Sequence, residues 1–254
     1  MKIKDMAMEL KLSYIRENSS SLVNEAMQLK LSHDEFLKMF LEREIFKRKD
    51  NGIARRIRDA KFTNKKFIED FDKTKYSNEL NGKFEYLETL KFIDNKENLI
   101  LMGTPGSGKT HYAIGIGIRA CMTGKNVLFK SIPNLVIELK ESMSLNQVTL
   151  YKRKFEKYDL VILDELGYVS FDKSGCEILF NLLSSRNDKG SIILTTNLSF
   201  DRWEEIFKDT MLTGAIVDRL AHRAHILDMS REISYRMEET ISWQNLNKSG
   251  PFLE

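Results

Sequence analysis

A glycine-rich turn between an apolar run and a helix-like segment constrains this chain more than any other feature. The apolar run NLILMG (98–103) leads into GTPGSGKT (103–110), which fits the pattern G-x-x-x-x-G-K-[ST]. Glycines let the backbone wrap a phosphate with its amides pointing inward. The helix that follows begins at the phosphates, where its dipole favours negative charge. The order strand, turn, helix therefore predicts a nucleotide-binding loop.

The side chains of this loop have expected tasks. We expect Lys109 to reach the β- and γ-phosphates and the Thr110 hydroxyl to coordinate Mg²⁺. His111 follows inside the helix and belongs to the predicted binding stretch, although packing is the more ordinary role for a histidine there. The predicted nucleotide-binding residues of the loop are Gly103, Thr104, Pro105, Gly106, Ser107, Gly108, Lys109, Thr110 and His111.

Four more short runs rich in Val, Ile and Leu follow, with helix-patterned segments between them. They are NVLFKS (126–131), YDLVILDE (158–165), SIILTTN (191–197) and AHILDM (224–229). Strands that alternate with helices indicate an α/β layered fold with a mostly parallel sheet. Continuous apolar runs indicate that helices cover both faces of this five-stranded sheet.

Polar residues end two of these runs. Asp164 follows the third apolar run, where a carboxylate can hold the Mg²⁺ shell. Glu165 comes next and can polarise a water for attack on the γ-phosphate. Asn197 falls where its side chain could orient the same water, although an asparagine at a strand end also caps helices. Because a kinase must exclude water and a motor must activate it, the Asp-Glu pair favours hydrolysis.

Residues 1 to about 62 are helix-patterned throughout, and the pattern changes from about residue 67. We therefore expect a helical N-terminal domain (1–66) before the α/β domain (67–254). Ser32 and Glu35 have the spacing of a capping box. An apolar stripe follows on one helix face. Its residues are Phe36, Leu37, Phe40, Leu41 and Ile45.

Residues 43–66 carry ten Lys or Arg against three Asp or Glu, while the net charge of the whole chain is only +3. A solvated helix face is the ordinary explanation. The alternative is a surface that contacts the phosphates of duplex DNA, without sequence readout and with salt-sensitive affinity. The candidates for this contact are Arg55, Arg56 and Arg58.

The remaining composition points to a cytoplasmic protein. Two cysteines without CxxC spacing indicate free thiols in a reducing compartment. The sequence contains neither a leader-like start nor an apolar run of the ~20 residues that span a bilayer. We expect no membrane association.

With these motifs in order, the sequence resembles AAA+ ATPases. More narrowly, it resembles the IstB-like family, the ATP-binding helper proteins of bacterial insertion sequences, and it is similar to their relatives, the DnaC-type helicase loaders. The resemblance runs through the whole chain. It is carried by EFLKMFLEREIFKRKDNGIARRIRDAKF, NLILMGTPGSGKTHYA, YDLVILDELGY, GSIILTTNLSFDRWEEIF, DRLAHRAHILDM and ISYR.

This resemblance implies a helical N-terminal domain for DNA contact or oligomerisation, followed by an AAA+ core. It implies an ATPase with ATP and Mg²⁺, bound between subunits of a ring or helical homo-oligomer. The oligomer would bind duplex DNA and assist a cognate transposase in target selection and strand transfer. The alternative within the resemblance is a replicative helicase loader.

The resemblance also implies roles for arginines. Arg219 matches the arginine that the family places on a neighbour's γ-phosphate, and Arg186 and Arg223 compete for that role. Arg236 matches the arginine that contacts ATP within its own subunit. Only 18 residues follow Arg236, so we expect no C-terminal helical lid.

Two other functions stay open at this point. One is a small-molecule kinase with the same loop, against which Glu165, Asn197 and Arg219 argue. The other is a nucleotide-gated binding module with negligible turnover.

Overall fold

The computed structural model describes residues 2–168, 171–186 and 188–231, together with residues 235, 237, 240 and 243. The chain divides into two compact units, Met1–Arg56 and Ile57–Glu254. This division falls earlier than the predicted boundary near residue 66, because Ile57, Ala60 and Phe62 pack into the core of the second unit. The roles given to the two domains stay predictions.

The first unit is helical. It contains α1 (Ile3–Glu9), α2 (Ser13–Gln28) and most of α3 (His33–Asp59), whose last three residues follow Arg56. The predicted capping box precedes α3. The amide of Ser32 donates to Glu35 Oε2 at 2.8 Å, and the amide of Glu35 donates to Ser32 Oγ at 3.3 Å. The hydroxyl of Ser32 also donates to Glu35 and lowers the pKa of that carboxyl.

A buried carboxylate from α3 caps the beginning of α2. Glu44 is 4% exposed and accepts hydrogen bonds from the amides of Ser13 at 2.9 Å, Tyr14 at 2.9 Å and Ile15 at 3.3 Å. These are amides that a helix leaves without partners in its first turn, where negative charge is also favoured by the helix dipole. Glu44 thereby joins two helices of the first unit.

The apolar stripe predicted on α3 is divided by the structure. Phe40 packs against the small core of the first unit. Leu37, Leu41 and Ile45 are 55%, 49% and 53% exposed. The repeat of apolar residues was correctly located, but only part of it faces a core.

The second unit alternates helices and strands. Its first elements are α4 (Asn78–Glu88), α5 (Lys91–Asp94), β1 (Asn98–Met102), α6 (Lys109–Met122), β2 (Val127–Ser131), α7 (Ile132–Ser144) and α8 (Val148–Phe155). They are followed by β3 (Leu160–Leu166), α9 (Lys173–Ser184), β4 (Ser191–Thr196), α10 (Glu204–Phe207), α11 (Thr210–Ala221) and β5 (Ala224–Asp228). Short 3-10 turns occupy Ile68–Asp70, Lys73–Lys75 and Phe200–Arg202.

The five strands form one parallel sheet in the order β2-β3-β4-β1-β5. Along β1, Leu99 and Leu101 point into the apolar cluster beneath α4, α5 and α6. Ile100 points into the opposite cluster, which α7, α9 and α11 cover. The predicted five-stranded sheet with both faces covered is confirmed. Because parallel strands end at the same edge, the residues after β1, β3 and β4 are brought together.

Within the described residues, no helix is both long and apolar enough to cross a membrane. Arg236 lies outside the described residues, as does most of the segment on which the expectation of a missing lid rests.

Candidate nucleotide-binding site

At two positions of the loop after β1, the backbone passes so close to a neighbouring segment that only glycine fits. Gly103 has a φ of 146°, and a Cβ there would lie 2.8 Å from the carbonyl carbon of Met229. Gly108 has a φ of 91°, and a Cβ there would lie 2.9 Å from the ring of Phe71. Both positions combine left-handed backbone with contact on the neighbouring segment, so a side chain would displace the loop.

Lys109 occupies the centre of this loop. It is 8% exposed, and its Nζ donates to the carbonyl oxygens of Gly103 at 2.7 Å and Thr104 at 2.9 Å. The ammonium group is therefore held inside the turn that would surround the phosphates. The contact of Lys109 with the β- and γ-phosphates stays a prediction.

Asp164 lies buried at the end of β3, beside the loop. The hydroxyl of Thr110 donates to Asp164 Oδ1 at 3.0 Å, and the hydroxyl of Thr195 donates to the same oxygen at 2.5 Å. Mg²⁺ prefers oxygen ligands and is held by one or two protein groups together with phosphate and water. The oxygens of Thr110 and Asp164 fit that requirement, and Thr195 orients the carboxylate. Thr195 was missed because its role depends on β4 lying next to β3.

Glu165 follows Asp164 in an unusual backbone conformation. Its φ is 69°, and the register between β3 and β4 shifts between Leu163 and Leu166. Its amide donates to Thr195 Oγ1 at 3.1 Å. Left-handed backbone at a residue other than glycine costs about 1 to 3 kcal/mol and collects at functional sites. At this bulge, the side chain of Glu165 is exposed and lines the cavity.

Asn197 follows β4 and presents a buried oxygen. Its Oδ1 finds no hydrogen-bond partner among the described residues. Gly167 packs so closely that a Cβ there would lie 2.3 Å from this oxygen. Buried polar atoms normally have partners, so the unpartnered oxygen of Asn197 is an exception at the edge of the site.

Most of these groups, among them Lys109, Thr110, Glu165, Thr195 and Asn197, line one cavity of about 280 Å³. The structure brings together residues 105–111, Glu165 and Asn197, while the roles given to them stay predictions. It adds a wall that the motifs did not indicate, formed by Lys66, Asp70, Phe71, Asp72 and Tyr235.

Two tyrosines hold carbonyl groups of the loop, and sequence reasoning missed both. The hydroxyl of Tyr76 donates to the carbonyl of Ser107, and burial raises its pKa so that it stays a donor. The amide of Tyr235 donates to the carbonyl of Gly106 at 3.0 Å. His111 Nε2 lies 3.0 Å from the carbonyl oxygen of Phe67. This histidine therefore packs against the backbone at the edge of the cavity.

The predicted arginines lie in different environments. Arg219 is exposed on α11 and lies beside Asn98 and Gly190, at the amino ends of β1 and β4. The loop lies at the carboxyl ends, so Arg219 cannot serve the nucleotide site of its own chain. Arg223 is also exposed, on the turn before β5.

Arg186 is excluded as a competitor for the neighbour's phosphate. It is 1% exposed, and its guanidinium donates to the carbonyls of Phe155 at 2.6 Å, Tyr158 at 2.9 Å and Ser191 at 3.2 Å. Burial lowers its pKa to about 10. The side chain therefore connects three backbone carbonyls inside the fold and cannot reach a neighbouring subunit.

The DNA-contact candidates lie near the end of α3. Arg55 and Arg58 are exposed, and Arg56 is half-buried. Arg58 forms an exposed ion pair with Asp59, with 3.3 Å between Nε and Oδ1.

A parallel five-stranded sheet with a phosphate loop after β1, an acidic pair ending β3 and an asparagine after β4 defines the P-loop AAA+ class. Within it, the chain belongs to the family described as IstB-like ATP binding protein, whose sequence profile matches residues 5–242.

Two relatives come from insertion sequences. The chain is 35% identical over 230 residues to the IS21 ATP-binding protein of Pseudomonas aeruginosa, covering 91% of this chain and 86% of the relative. It is 35% identical over 238 residues to the IS5376 ATP-binding protein of Geobacillus stearothermophilus, covering 94% of each.

Solved structures share the fold at low identity. AMPPCP-bound DnaA from Aquifex aeolicus matches with a TM-score of 0.55 and 16% identity, over 76% of this chain and 58% of that chain. DnaI matches with a TM-score of 0.53 and 19% identity, over 65% of this chain and 88% of that chain. At this identity the likeness establishes the fold alone.

Proposed function

We propose that this protein is an ATP-hydrolysing, DNA-binding AAA+ regulator that assists a transposase in target DNA selection and strand transfer. The family and its insertion-sequence relatives support the transposition setting. One observation supports hydrolysis: the exposed Glu165 lines the same cavity as Lys109 and Asn197.

The residues divide the chemistry among them. The loop amides and Lys109 bind the phosphates, and Thr110 with Asp164 would hold Mg²⁺. Bound Mg²⁺ would neutralise negative charge on the phosphate oxygens. Glu165 accepts a proton from the attacking water, while Asn197 accepts a hydrogen bond that orients it.

A second copy completes the site. Arg219 is remote from the loop of its own chain, and its exposure allows it to reach the nucleotide of a neighbour in a ring or helical oligomer. An added positive charge on the γ-phosphate stabilises the transition state. The site at low protein concentration would then be incomplete, and turnover would rise with concentration.

The proposal is tested by measuring ATP hydrolysis with and without random-sequence duplex DNA. Wild type should respond to DNA, whereas Glu165→Gln should bind ATP and stall. Glu177→Gln, an exposed residue of α9 away from the cavity, is the matched control and should keep wild-type turnover. Unchanged phosphate release by Glu165→Gln would contradict the assigned role and favour a binding module.

The transposase partner requires its own experiment. The helicase-loader alternative shares the fold but lacks a specific observation in its favour. Purified protein should be retained by its cognate transposase and not by the replicative helicase of the host. Retention by the helicase alone would reverse the assignment.

A further inference from the structure

The carbonyl group of Ser107 lies just before α6 and outside the hydrogen-bond pattern of that helix. The first bond of the pattern runs from the amide of Tyr112 to the carbonyl of Gly108, at 2.9 Å. The carbonyl of Ser107 is one residue too early to accept a helical bond. Because Ser107 is 0% exposed, its carbonyl requires a donor from another segment.

This donor is the hydroxyl of Tyr76, which belongs to the segment before α4. The ring of Tyr76 stacks on Phe71, with 5.4 Å between the ring centroids, and meets Phe84 edge-on at 5.3 Å. Because two rings hold it, the hydroxyl has a fixed position against the loop. Burial raises the pKa of Tyr76 above its ordinary value, so the hydroxyl keeps the proton that it donates.

The hydrogen bond from Tyr76 fixes the direction of one peptide group of the loop. The peptide between Ser107 and Gly108 is trans, so its carbonyl and its N–H point in opposite directions. The N–H of Gly108 therefore points away from Tyr76. Ser107 and Gly108 line the nucleotide cavity, whereas Tyr76 is not among the described residues that line it. Tyr76 thus contacts the loop from outside the cavity.

This peptide needs such a restraint more than its neighbours do. Gly108 has a φ of 91°, and glycine has the freest backbone of all residues. The preceding part of the loop is held by backbone contacts. The amide of Ser107 donates to the carbonyl of Thr104 at 3.2 Å, and the carbonyl of Gly106 accepts from the amide of Tyr235 at 3.0 Å. The peptide before Gly108 is held by the Tyr76 side chain instead.

We propose that Tyr76 is a positioning residue of the nucleotide site, which holds the N–H of Gly108 in the direction where a phosphate of the nucleotide accepts its hydrogen bond. Backbone amides of such loops bind the α- and β-phosphates, which ATP and ADP share. The role rests on the nucleotide binding proposed above and is independent of hydrolysis. Tyr76 therefore contributes to the affinity for both nucleotides and does not distinguish between them.

The first test removes the hydroxyl and keeps the ring. Full-length wild type and Tyr76→Phe are titrated calorimetrically with ADP and with AMPPCP, in the presence of Mg²⁺. Both affinities should fall about 5- to 30-fold in Tyr76→Phe, as expected for the loss of about one hydrogen bond. Unchanged affinities, or a loss confined to one of the two nucleotides, would overturn the proposal.

Tyr112→Phe is the matched control. Tyr112 belongs to the same aromatic cluster, with 4.6 Å between its ring centroid and that of Phe84. Its hydroxyl also donates to a backbone carbonyl, that of Phe84 at 3.2 Å, but this carbonyl is not part of the loop. Tyr112→Phe should lower the melting temperature as Tyr76→Phe does and keep wild-type nucleotide affinity. Equal losses of affinity would assign the effect to loosening of the aromatic cluster and contradict a positioning role.

The second test needs no nucleotide. The order parameter of the Gly108 N–H, from NMR relaxation, should fall from about 0.85 to about 0.6 or below in Tyr76→Phe. It should stay at the wild-type value in Tyr112→Phe. An unchanged order parameter in Tyr76→Phe would show that Tyr76 does not hold this peptide. If wild type bound neither nucleotide, the proposed function would fail, while the order parameter would still decide whether Tyr76 holds the loop.

Discussion

Gly167 is placed where any side chain would disturb the nucleotide site. Its φ is 115°, and a Cβ would meet Asn197 Oδ1. We expect Gly167→Ala to lower the free energy of unfolding by about 1 to 3 kcal/mol through backbone strain. It should also reduce ATP turnover more than ATP affinity, since Asn197 must move. Urea denaturation and steady-state hydrolysis measure the two effects.

Gly82 is the control for that substitution. It lies within α4, and a Cβ there would have no atom within 4 Å. Gly82→Ala should raise the free energy of unfolding by about 0.5 to 1 kcal/mol, because alanine has the higher helix propensity. Equal destabilisation by both substitutions would show that the contact with Asn197 is unimportant.

Arg186 and Arg219 should differ in what their removal changes. Arg186→Met leaves three buried carbonyls without their donor and should destabilise the fold by about 3 kcal/mol or more. Arg219→Met, on an exposed side chain, should change stability by less than about 0.5 kcal/mol. Thermal unfolding of both variants checks this. A loss as small for Arg186→Met as for Arg219→Met would show that the three carbonyl contacts of Arg186 contribute little to stability.

At the scale of the element, Glu44 holds the beginning of α2. Glu44→Gln keeps the size but removes the charge that three amides share, so we expect a loss of about 1 to 3 kcal/mol. Hydrogen exchange at Ser13, Tyr14 and Ile15 should accelerate. Glu42→Gln, exposed on the same helix, should leave exchange unchanged. If both variants exchange alike, the cap contributes nothing.

The predicted contact with DNA concerns the end of α3. If Arg55 and Arg58 contact phosphates, replacing both with glutamine should reduce the slope of log K against log salt by about 2. Binding to random duplex measured across salt concentrations gives that slope. Replacing the exposed Lys91 and Lys152 should not change it. A slope unaffected by the arginines would make this part of α3 an ordinary solvated face.

The elements themselves were largely predictable, because apolar runs and the loop pattern are local features. The capping box at Ser32 was predictable for the same reason. The exposure of Leu41 was not, since periodicity shows which residues share a face and not what lies opposite. The cap by Glu44 and the support from Thr195 depend on contacts between distant segments, which no local pattern encodes.

For the whole molecule, the decisive prediction concerns sites shared between copies. Arg219→Ala keeps the loop but lacks the arginine, and Glu165→Gln keeps the arginine but cannot activate water. Each should lose most turnover, and the arginine alone can be worth about 10³-fold or more. Mixing the two proteins should restore part of the activity, because some interfaces then combine both intact groups.

The recovery is measured as the rate of ATP hydrolysis at several mixing ratios, compared with the rate of each variant alone. Arg223→Ala in place of Arg219→Ala tests the remaining competitor. Mixtures no more active than the sum of their components would place the missing charge within a single chain.

The strand order has a consequence for how the protein is made. Leu99, in the strand before the loop, pairs with Ile193 and His225, both of which are synthesised much later. Closing such long segments is slow and must precede the contacts that stabilise them. A chain still emerging from the ribosome therefore contains the complete GTPGSGKT segment but has no sheet to hold it. We therefore expect an emerging chain to bind nucleotide only after β5 has been synthesised and has paired with β1.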